Sequence, residues 1–263
     1  MCGIAGFVND MPIDVKCPVL QRMTDMIAHR GPDSEGHYID EHAALGHRRL
    51  SIIDLGGGQQ PIYNEDGSKV ITFNGEIYNY QTLREELIAA GHTFTTKSDT
   101  EVLLHGYEQW GVDLLQRVRG MFTFVIWDKN KQELFGARDH FGIKPFYYAK
   151  MNGTFMYASE IKSLLRHPDF VKELNAEALK PYMTFQYPAI GETFFKGVYK
   201  LPEGHYFTYR DGKMDIHRYY DEDFHEGKQK LGELVNSIDQ TVCDSVKAHQ
   251  IADVEVGSFL ASG

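Results

Sequence analysis

GMFTFVIWDKNKQELFGARD, residues 120–139, decides the fold. Two strand-like runs rich in Phe, Val, Ile and Trp flank a polar Asp128–Lys131, so the stretch reads as a β-hairpin. Two more hairpins follow. PFYYAKMNGTFMYASE (145–160) carries Asn152-Gly153 at its turn, and HYFTYRDGKMDIHRYY (205–220) carries Asp211-Gly212. Upstream, GIAGFV (3–8) reads as a short buried strand, and ALGHRRLSIID (44–54) and KVITFNGEIYNY (69–80) are strand-like. Helical spacing places Val19, Leu20, Met23, Met26 and Ile27 on one face, and Leu83, Leu87 and Ile88 on another over Tyr80–Ala90, with Gly91 as the stop. Ser98 and Glu101 form a capping box that opens a helix through about Arg117. SEIKSLLRH (159–167) and NAEALKPYM (175–183) are short helices, the second with Asn175 as its cap. No βαβ rhythm precedes residue 220, so the expectation is an α+β fold of antiparallel sheets with helices packed outside.

After residue 220 the character changes. Residues 221–230 are polar and charged, a linker. Leu231–Gln250 is one amphipathic helix carrying Leu234, Val235, Ile238, Val242 and Val246, and DVEVGSFLASG (253–263) is a strand running into a small-residue turn. That order reads as the opening of a second, α/β domain. The domains expected are therefore 1–220, a linker, and 231–263 as the beginning of another unit.

The composition excludes several classes of function. Hydrophobic residues make up 42% and charged residues 24% of 263, which suits an ordinary globular core. A net charge of -10 with no basic run argues against nucleic acid or an anionic membrane as partner. No segment approaches the ~18 consecutive apolar residues of a membrane span, and the start lacks the pattern of a secretory leader. Three cysteines, Cys2, Cys17 and Cys243, are too few for a disulfide framework, so a cytoplasmic protein with reduced thiols is expected. Cys17 and Cys243 fall in helical patterns and are expected to be buried and inert. Twelve histidines are scattered without an H-x-x-x-H pair, so no metal site is expected.

Four stretches could carry chemistry, each beside a plainer account. Loss of Met1 would make Cys2 the terminal residue, with a thiol and an α-amine that could serve as its base; the plainer account is an incidental cysteine. Asn74-Gly75 could supply an oxyanion hole from a side-chain amide and a backbone N–H, or it could be a hairpin turn. Arg49 could clamp a carboxylate through two parallel hydrogen bonds, or flank a strand at the surface. Asp99 could bind a substrate ammonium, or only complement a helix dipole. HRGPDSEG (29–36) and GARDHFGIKPFYY (136–148) receive no role from spacing alone.

Taken together, MCGIAGF, HRGPDSEG, GHRRLSIIDL, QPIYNEDG, FNGEIYNY, SDTEVLLHGYEQWG, GMFTFVIWD and RDHFGIKPFYY occur in the order found in glutamine-dependent asparagine synthetases, and the resemblance covers essentially the whole chain. It implies a four-layer αββα sandwich of the N-terminal nucleophile hydrolase type, with two stacked antiparallel sheets. It implies that Cys2 attacks the side-chain amide of L-glutamine, with Asn74 and Gly75 as oxyanion hole and the α-amine of Cys2 moving the proton. Arg49 would hold the α-carboxylate. Leu50, Ser51, Ile52 and Ile53, with Glu76 and Asp99, would complete the glutamine site and position its α-amine. No cofactor is implied for that step.

The tail resembles the strand that leads into the pyrophosphate loop of the family's ATP-pyrophosphatase-type synthetase domain. Leu260, Ser262 and Gly263 would fall in that ATP-binding loop, although Ala261 departs from the family's Ser at its position. ATP, Mg2+ and aspartate would serve the synthetase step, and family members are often homodimers or larger assemblies. Other relatives amidate different carboxylates or close a β-lactam ring. A silent docking domain is the non-enzymatic alternative, favoured if Met1 stays in place.

Overall fold

A computed structural model describes residues 1–187, 191–227 and 229–258. The chain enters as β1 (Gly3–Val8) and forms α1 (Ile13–Asp25), then β2 (Ser34–Ile39) and β3 (Ala43–Arg49). After β4 (Ile62–Tyr63) and β5 (Lys69–Ile77) come α2 (Tyr80–Ala89) and α3 (Asp99–Trp110). The hairpins β6 (Gly120–Asp128)–β7 (Glu133–Arg138) and β8 (Tyr147–Met151)–β9 (Thr154–Ala158) follow, then α4 (Ile161–Leu164) and α5 (Ala176–Phe185). The described elements finish with β10 (Val198–Lys200), the hairpin β11 (His205–Arg210)–β12 (Lys213–Arg218), and α6 (Leu231–His249).

All three expected hairpins form. Their turns need left-handed backbone, which Asn and Asp tolerate and Gly adopts freely. Asn152 and Gly153 have φ of 50° and 84°, and Asp211 and Gly212 have 51° and 73°. At the first hairpin the Asp128 carboxylate accepts from the N–H groups of Asn130 and Lys131, and Gln132 takes the positive φ.

The strands form two six-stranded sheets, ordered β10-β8-β9-β1-β3-β2 and β12-β11-β7-β6-β5-β4. Every pairing is antiparallel. Alternation along the strands sorts the side chains into three buried layers. Val125, Trp127, Leu134 and Phe207 of the second sheet meet Ile4, Leu45, Phe155 and Tyr157 of the first. The other face of the second sheet, with Phe73, Phe122, Phe124 and Phe135, packs on Leu83, Leu87, Leu103 and Leu104 of α2 and α3. The other face of the first, with Phe7, Ala44 and Met156, packs on Val19, Leu20 and Met23 of α1 and Leu164 of α4. The result is the expected αββα stack. It also explains why the 121–127 run is apolar rather than alternating: helix covers one face of β6 and the partner sheet the other. Each fully buried Phe or Leu contributes about 1.5–3 kcal/mol.

Several local expectations are corrected. α1 begins at Ile13, ahead of the face read from Val19–Ile27, and carries Pro18 in its interior, where proline removes one intrahelical N–H donor. The capping box at Ser98 is half made. Ser98 Oγ accepts from the Thr100 N–H at 3.2 Å, but the buried Glu101 turns instead to the N–H and hydroxyl groups of Thr95 and Thr96, four donors in place of one. α3 stops at Trp110, where Gly111 takes φ 58°, and a 3-10 turn continues to Gln116. Asn175 does not cap α5; its amide donates to Glu192 and to the Thr193 carbonyl.

Cys17 and Cys243 are exposed, not buried: one lies on the outer face of α1, the other on α6. The apolar residues of α6 are themselves exposed, Leu234, Val235, Ile238, Val242 and Val246 all above 40%. Residues 253–258 form no strand, since no described strand lies beside them to pair with. Leu260, Ser262 and Gly263 lie outside the described residues. No described helix is long and apolar enough to cross a membrane.

Candidate active site

Both sheets contribute to one pocket. Cys2 sits one residue before β1, and Arg49 closes β3, whose Arg48 pairs with Gly3. β5 of the other sheet brings Asn74, Gly75 and Glu76, and Asp99 opens α3. All of these line the pocket, together with Leu50, Ile52 and Ile53. Ser51 does not; its N–H donates to Asp33 Oδ2 at 2.8 Å.

Asn74-Gly75 lies mid-strand, opposite Thr123 and Phe122 of β6, so it is not a turn. A Cβ on Gly75 would sit 2.1 Å from the Met121 carbonyl oxygen, so glycine is required here by the neighbouring strand. The preceding peptide is clamped from both ends. The Phe73 N–H donates to Gln60 Oε1 at 2.6 Å, and the Phe73 carbonyl accepts from His47 Nε2 at 3.0 Å. Burial pushes the His47 imidazole down to about 3, so it stays neutral and can only donate through that nitrogen. Asn74 itself is 1% exposed, yet neither atom of its amide has a hydrogen-bond partner among the described residues. Buried amides are almost always satisfied, so this one, lining the pocket, is free to bond a molecule placed there.

The Cys2 thiol lies against Leu50: Sγ accepts from the Leu50 N–H at 3.4 Å and donates to its carbonyl at 3.5 Å. The N-terminus is not frayed, because β1 is paired on both edges and Arg30 Nε donates to the Cys2 carbonyl. Burial raises the thiol above its ordinary value, which disfavours the thiolate. A base is needed, and Met1 holds the Cys2 nitrogen as a peptide in this chain.

Arg49 is 5% exposed. Its Nη2 donates to the Ile53 carbonyl at 3.0 Å and the Asp54 carbonyl at 2.6 Å, and it has no ion-pair partner among the described residues. Asp99, also 5% exposed, accepts from the Ile77 N–H at 3.0 Å and likewise has no counter-ion. Burial, with the Glu76 charge nearby, raises its carboxyl to about 7. Glu76 is raised too, mainly by burial. The Ile52 and Ile53 carbonyls already accept from Asp253 N–H and Arg49. Asp253 returns the contact, its carboxylate accepting from the Asp54 N–H at 2.7 Å.

Lys144 is the charged pocket residue that spacing did not reveal. It is 3% exposed, and its Nζ reaches Met1 Sδ. The RDHFGIK turn places it there. Asp139 accepts from the N–H groups of Phe122, Phe141, Ile143 and Lys144, while Arg138 donates to the Lys144 and Leu201 carbonyls. The charged residues beside a glycine in that stretch were the available signal. Ser98, Thr100, Gly58 and Gln60 also line the pocket and were likewise missed as pocket residues.

Two stacked antiparallel sheets between helical layers, with Cys2 immediately before the central first strand, make the fold that of the N-terminal nucleophile hydrolases. The chain belongs to the family described as glutamine amidotransferase domain, whose model matches residues 1–220. It is 45% identical over 267 residues to asparagine synthetase [glutamine-hydrolyzing] 1 of Bacillus subtilis (strain 168), covering all of this chain and 42% of that protein. It is 34% identical to the amidase chry2 of Gibberella zeae, covering all of this chain and 41% of that one. Its fold is similar to that of the glutamine phosphoribosylpyrophosphate amidotransferase of B. subtilis, with a TM-score of 0.63 at 18% identity over 84% of this chain and 50% of that one. The resemblance to the asparagine synthetases read from the motifs is borne out. The chain spans about two fifths of the length of these relatives.

Proposed function

We propose that this chain hydrolyses L-glutamine through Cys2 once Met1 has been removed. The observation that carries the reading is a buried guanidinium and a buried carboxylate, Arg49 and Asp99, neither with a counter-ion, in one pocket with a thiol and an unpartnered amide. A free amino acid has the matching pair of charges. Arg49 would take the α-carboxylate, and Asp99 with Glu76 the α-ammonium. The thiol proton passes to the Cys2 α-amine as the sulfur–carbon bond forms. Asn74 Nδ2 and the Gly75 N–H hold the oxyanion. The amine returns the proton to nitrogen as the carbon–nitrogen bond breaks, and ammonia leaves. Water then cleaves the thioester to glutamate and restores the thiol.

In a longer protein of the asparagine synthetase type, the ammonia would reach aspartate activated with ATP and Mg2+. Residues 231–263 would open that second domain, with 221–230 as linker. The likeness to an amidase favours a second reading, in which the acceptor is a different carboxylate. Three free thiols suit a reducing, cytoplasmic setting.

The test is glutamate release by the native chain and by Cys2→Ala. The expected result is loss of at least a thousandfold in the variant. An electrophilic glutamine analogue should add to Cys2 alone. Equal activity in the two chains would sink the nucleophile assignment. Intact mass reports whether Met1 is gone.

A further inference from the structure

Four side chains outside the pocket converge on one point: Glu65 in the β4–β5 turn, His92 after α2, and His105 and Glu108 one turn apart on α3. Their nearest ligating atoms all lie within 4.8 Å of one another. His105 Nδ1 is 3.1 Å from Glu108 Oε2 and 3.4 Å from Glu65 Oε2, and His92 Nδ1 is 3.4 Å from Glu65 Oε1. A tetrahedral zinc ion with ligands at about 2.0–2.1 Å separates neighbouring ligand atoms by about 3.4 Å. The two separations from His105 Nδ1, to Glu108 Oε2 and Glu65 Oε2, match edges of such a tetrahedron, and the four ligand atoms otherwise lie within 4.8 Å of one another.

The atoms that do not face the centre are held from outside, as metal ligands usually are. His92 Nε2 meets Gln109 Oε1 at 3.2 Å, which fixes the tautomer that leaves Nδ1 with its lone pair inward. His105 is 1% exposed in its side chain, and its Nε2 points at Glu101 Oε1 at 3.6 Å without a hydrogen bond. That is a carboxylate–histidine pair, with the carboxylate itself fixed by Thr95 and Thr96. Glu108 Oε1 accepts from Asn64 Nδ2 at 2.7 Å and lies 3.4 Å from Lys69 Nζ. Glu65 Oε1, beside His92, accepts from the Thr93 N–H at 3.0 Å, which leaves Oε2 to face His105. Glu65 is the exposed member and leaves an approach from solvent.

We propose that Glu65, His92, His105 and Glu108 form a binding site for a divalent transition-metal ion of the zinc type. Charge favours it. Glu65, Glu101 and Glu108 carry three negative charges against Lys69, so a protonated His105 leaves one negative charge uncompensated. A divalent ion on two neutral imidazoles brings the cluster to zero. The ion would tie the segment after α2 and the β4–β5 turn to the helix whose first residue is Asp99. Sequence spacing does not announce the site, because three separate elements supply the ligands. The rival occupant is a proton, for the three carboxylates raise His105 to about 9 against its burial.

The experiment uses the chelator-treated chain with Cys17→Ser and Cys243→Ser, to remove the exposed thiols as adventitious ligands. Titration with Co2+ should saturate at one ion per chain and give the intense visible bands of a four-coordinate nitrogen–oxygen site. Zn2+ should displace the cobalt and raise the melting temperature. His92→Ala removes a half-buried ligand without touching the core. It should weaken binding at least a hundredfold, and Gln109→Ala should weaken it about tenfold through the tautomer. Absence of one-to-one binding would overturn the proposal and leave a proton-bridged ion-pair cluster. Equal binding by the native chain and His92→Ala would overturn it as well. Binding and melting are read without glutamine, so failure here is separate from failure of the glutaminase reading.

Discussion

Replacing Asp99 by asparagine should make the protein more stable and less able to use glutamine. The native carboxyl is buried and rises from an ordinary 3.8 to about 7, chiefly because burial penalises its charge. That interval is roughly three pH units, worth about 4 kcal/mol at 1.36 kcal/mol each. The folded chain binds this proton more tightly than the unfolded chain. Protonation therefore favours folding, fully below about pH 4, and the stabilisation is lost as the pH rises through about 7. At pH 8 the ligand-free protein bears the whole cost of a buried, uncompensated charge. Asp99→Asn keeps the shape and an oxygen to accept from the Ile77 N–H, but carries no charge.

Calorimetry from pH 5 to pH 8 should show the variant gaining on the native chain as pH rises. Relaxation around the charge reduces the full figure, so the gain should reach about 2–4 kcal/mol at pH 8, or roughly 5–15 °C in Tm. Function should move the other way. The variant's kcat/KM for glutamine should drop by about 10²–10³, the scale of a buried charged partner lost. In the native chain kcat/KM should fall about tenfold per unit below pH 7, as the carboxylate that receives the ammonium is protonated. A variant less stable than the native chain at pH 8 would refute this reasoning, as would parallel melting curves across the range.

Gly75→Ala should reduce kcat by about 10²–10³, because the new Cβ meets the Met121 carbonyl and moves an oxyanion-hole donor. Gly136→Ala, which crowds the Phe207 ring and comes within 3.1 Å of the Phe124 carbonyl oxygen, away from the pocket, is the control: a comparable stability loss of about 1–3 kcal/mol with kcat intact. Similar kcat for Gly75→Ala and the native chain would exclude Gly75 from the hole. Asp253→Ala removes the acceptor of the Asp54 N–H and should raise KM for glutamine about fivefold, with kcat nearly unchanged and Asn at 253 restoring most of the loss. A KM that does not move would mean that the 52–54 segment needs no such tether.

The hairpins were legible because their turns are local: Asn152-Gly153 and Asp211-Gly212 meet a backbone demand that neighbouring residues cannot alter. Sheet order was not. Nothing near residues 3–8 says that β1 lies between β9 and β3, since the partners that bury it come from residues 43–48 and 155–158. Asn74-Gly75 carried both a turn signal and a catalytic one. The turn lost because Gly75 lets β6 approach and because His47 and Gln60 satisfy the peptide beside it. Lys144 and the Glu65–His92–His105–Glu108 cluster were illegible for one reason: each is assembled by tertiary contact between segments with no fixed spacing. The Ser98 box failed in the opposite way, a correct local motif outbid by donors from the preceding loop. Cys17 and Cys243 were misplaced because helical spacing gives a face but not what covers it.

The hydrogen bonds between Asp253 and the Ile52–Asp54 segment reach back across 199 residues, from beyond the amidotransferase domain matched over residues 1–220. A protein is made from its first residue onward. Every strand of both sheets is therefore synthesised before the residue that fastens this wall of the glutamine pocket leaves the ribosome. On the proposed reading, glutamine would meet this wall in its tethered form only after synthesis has moved past the domain that binds it.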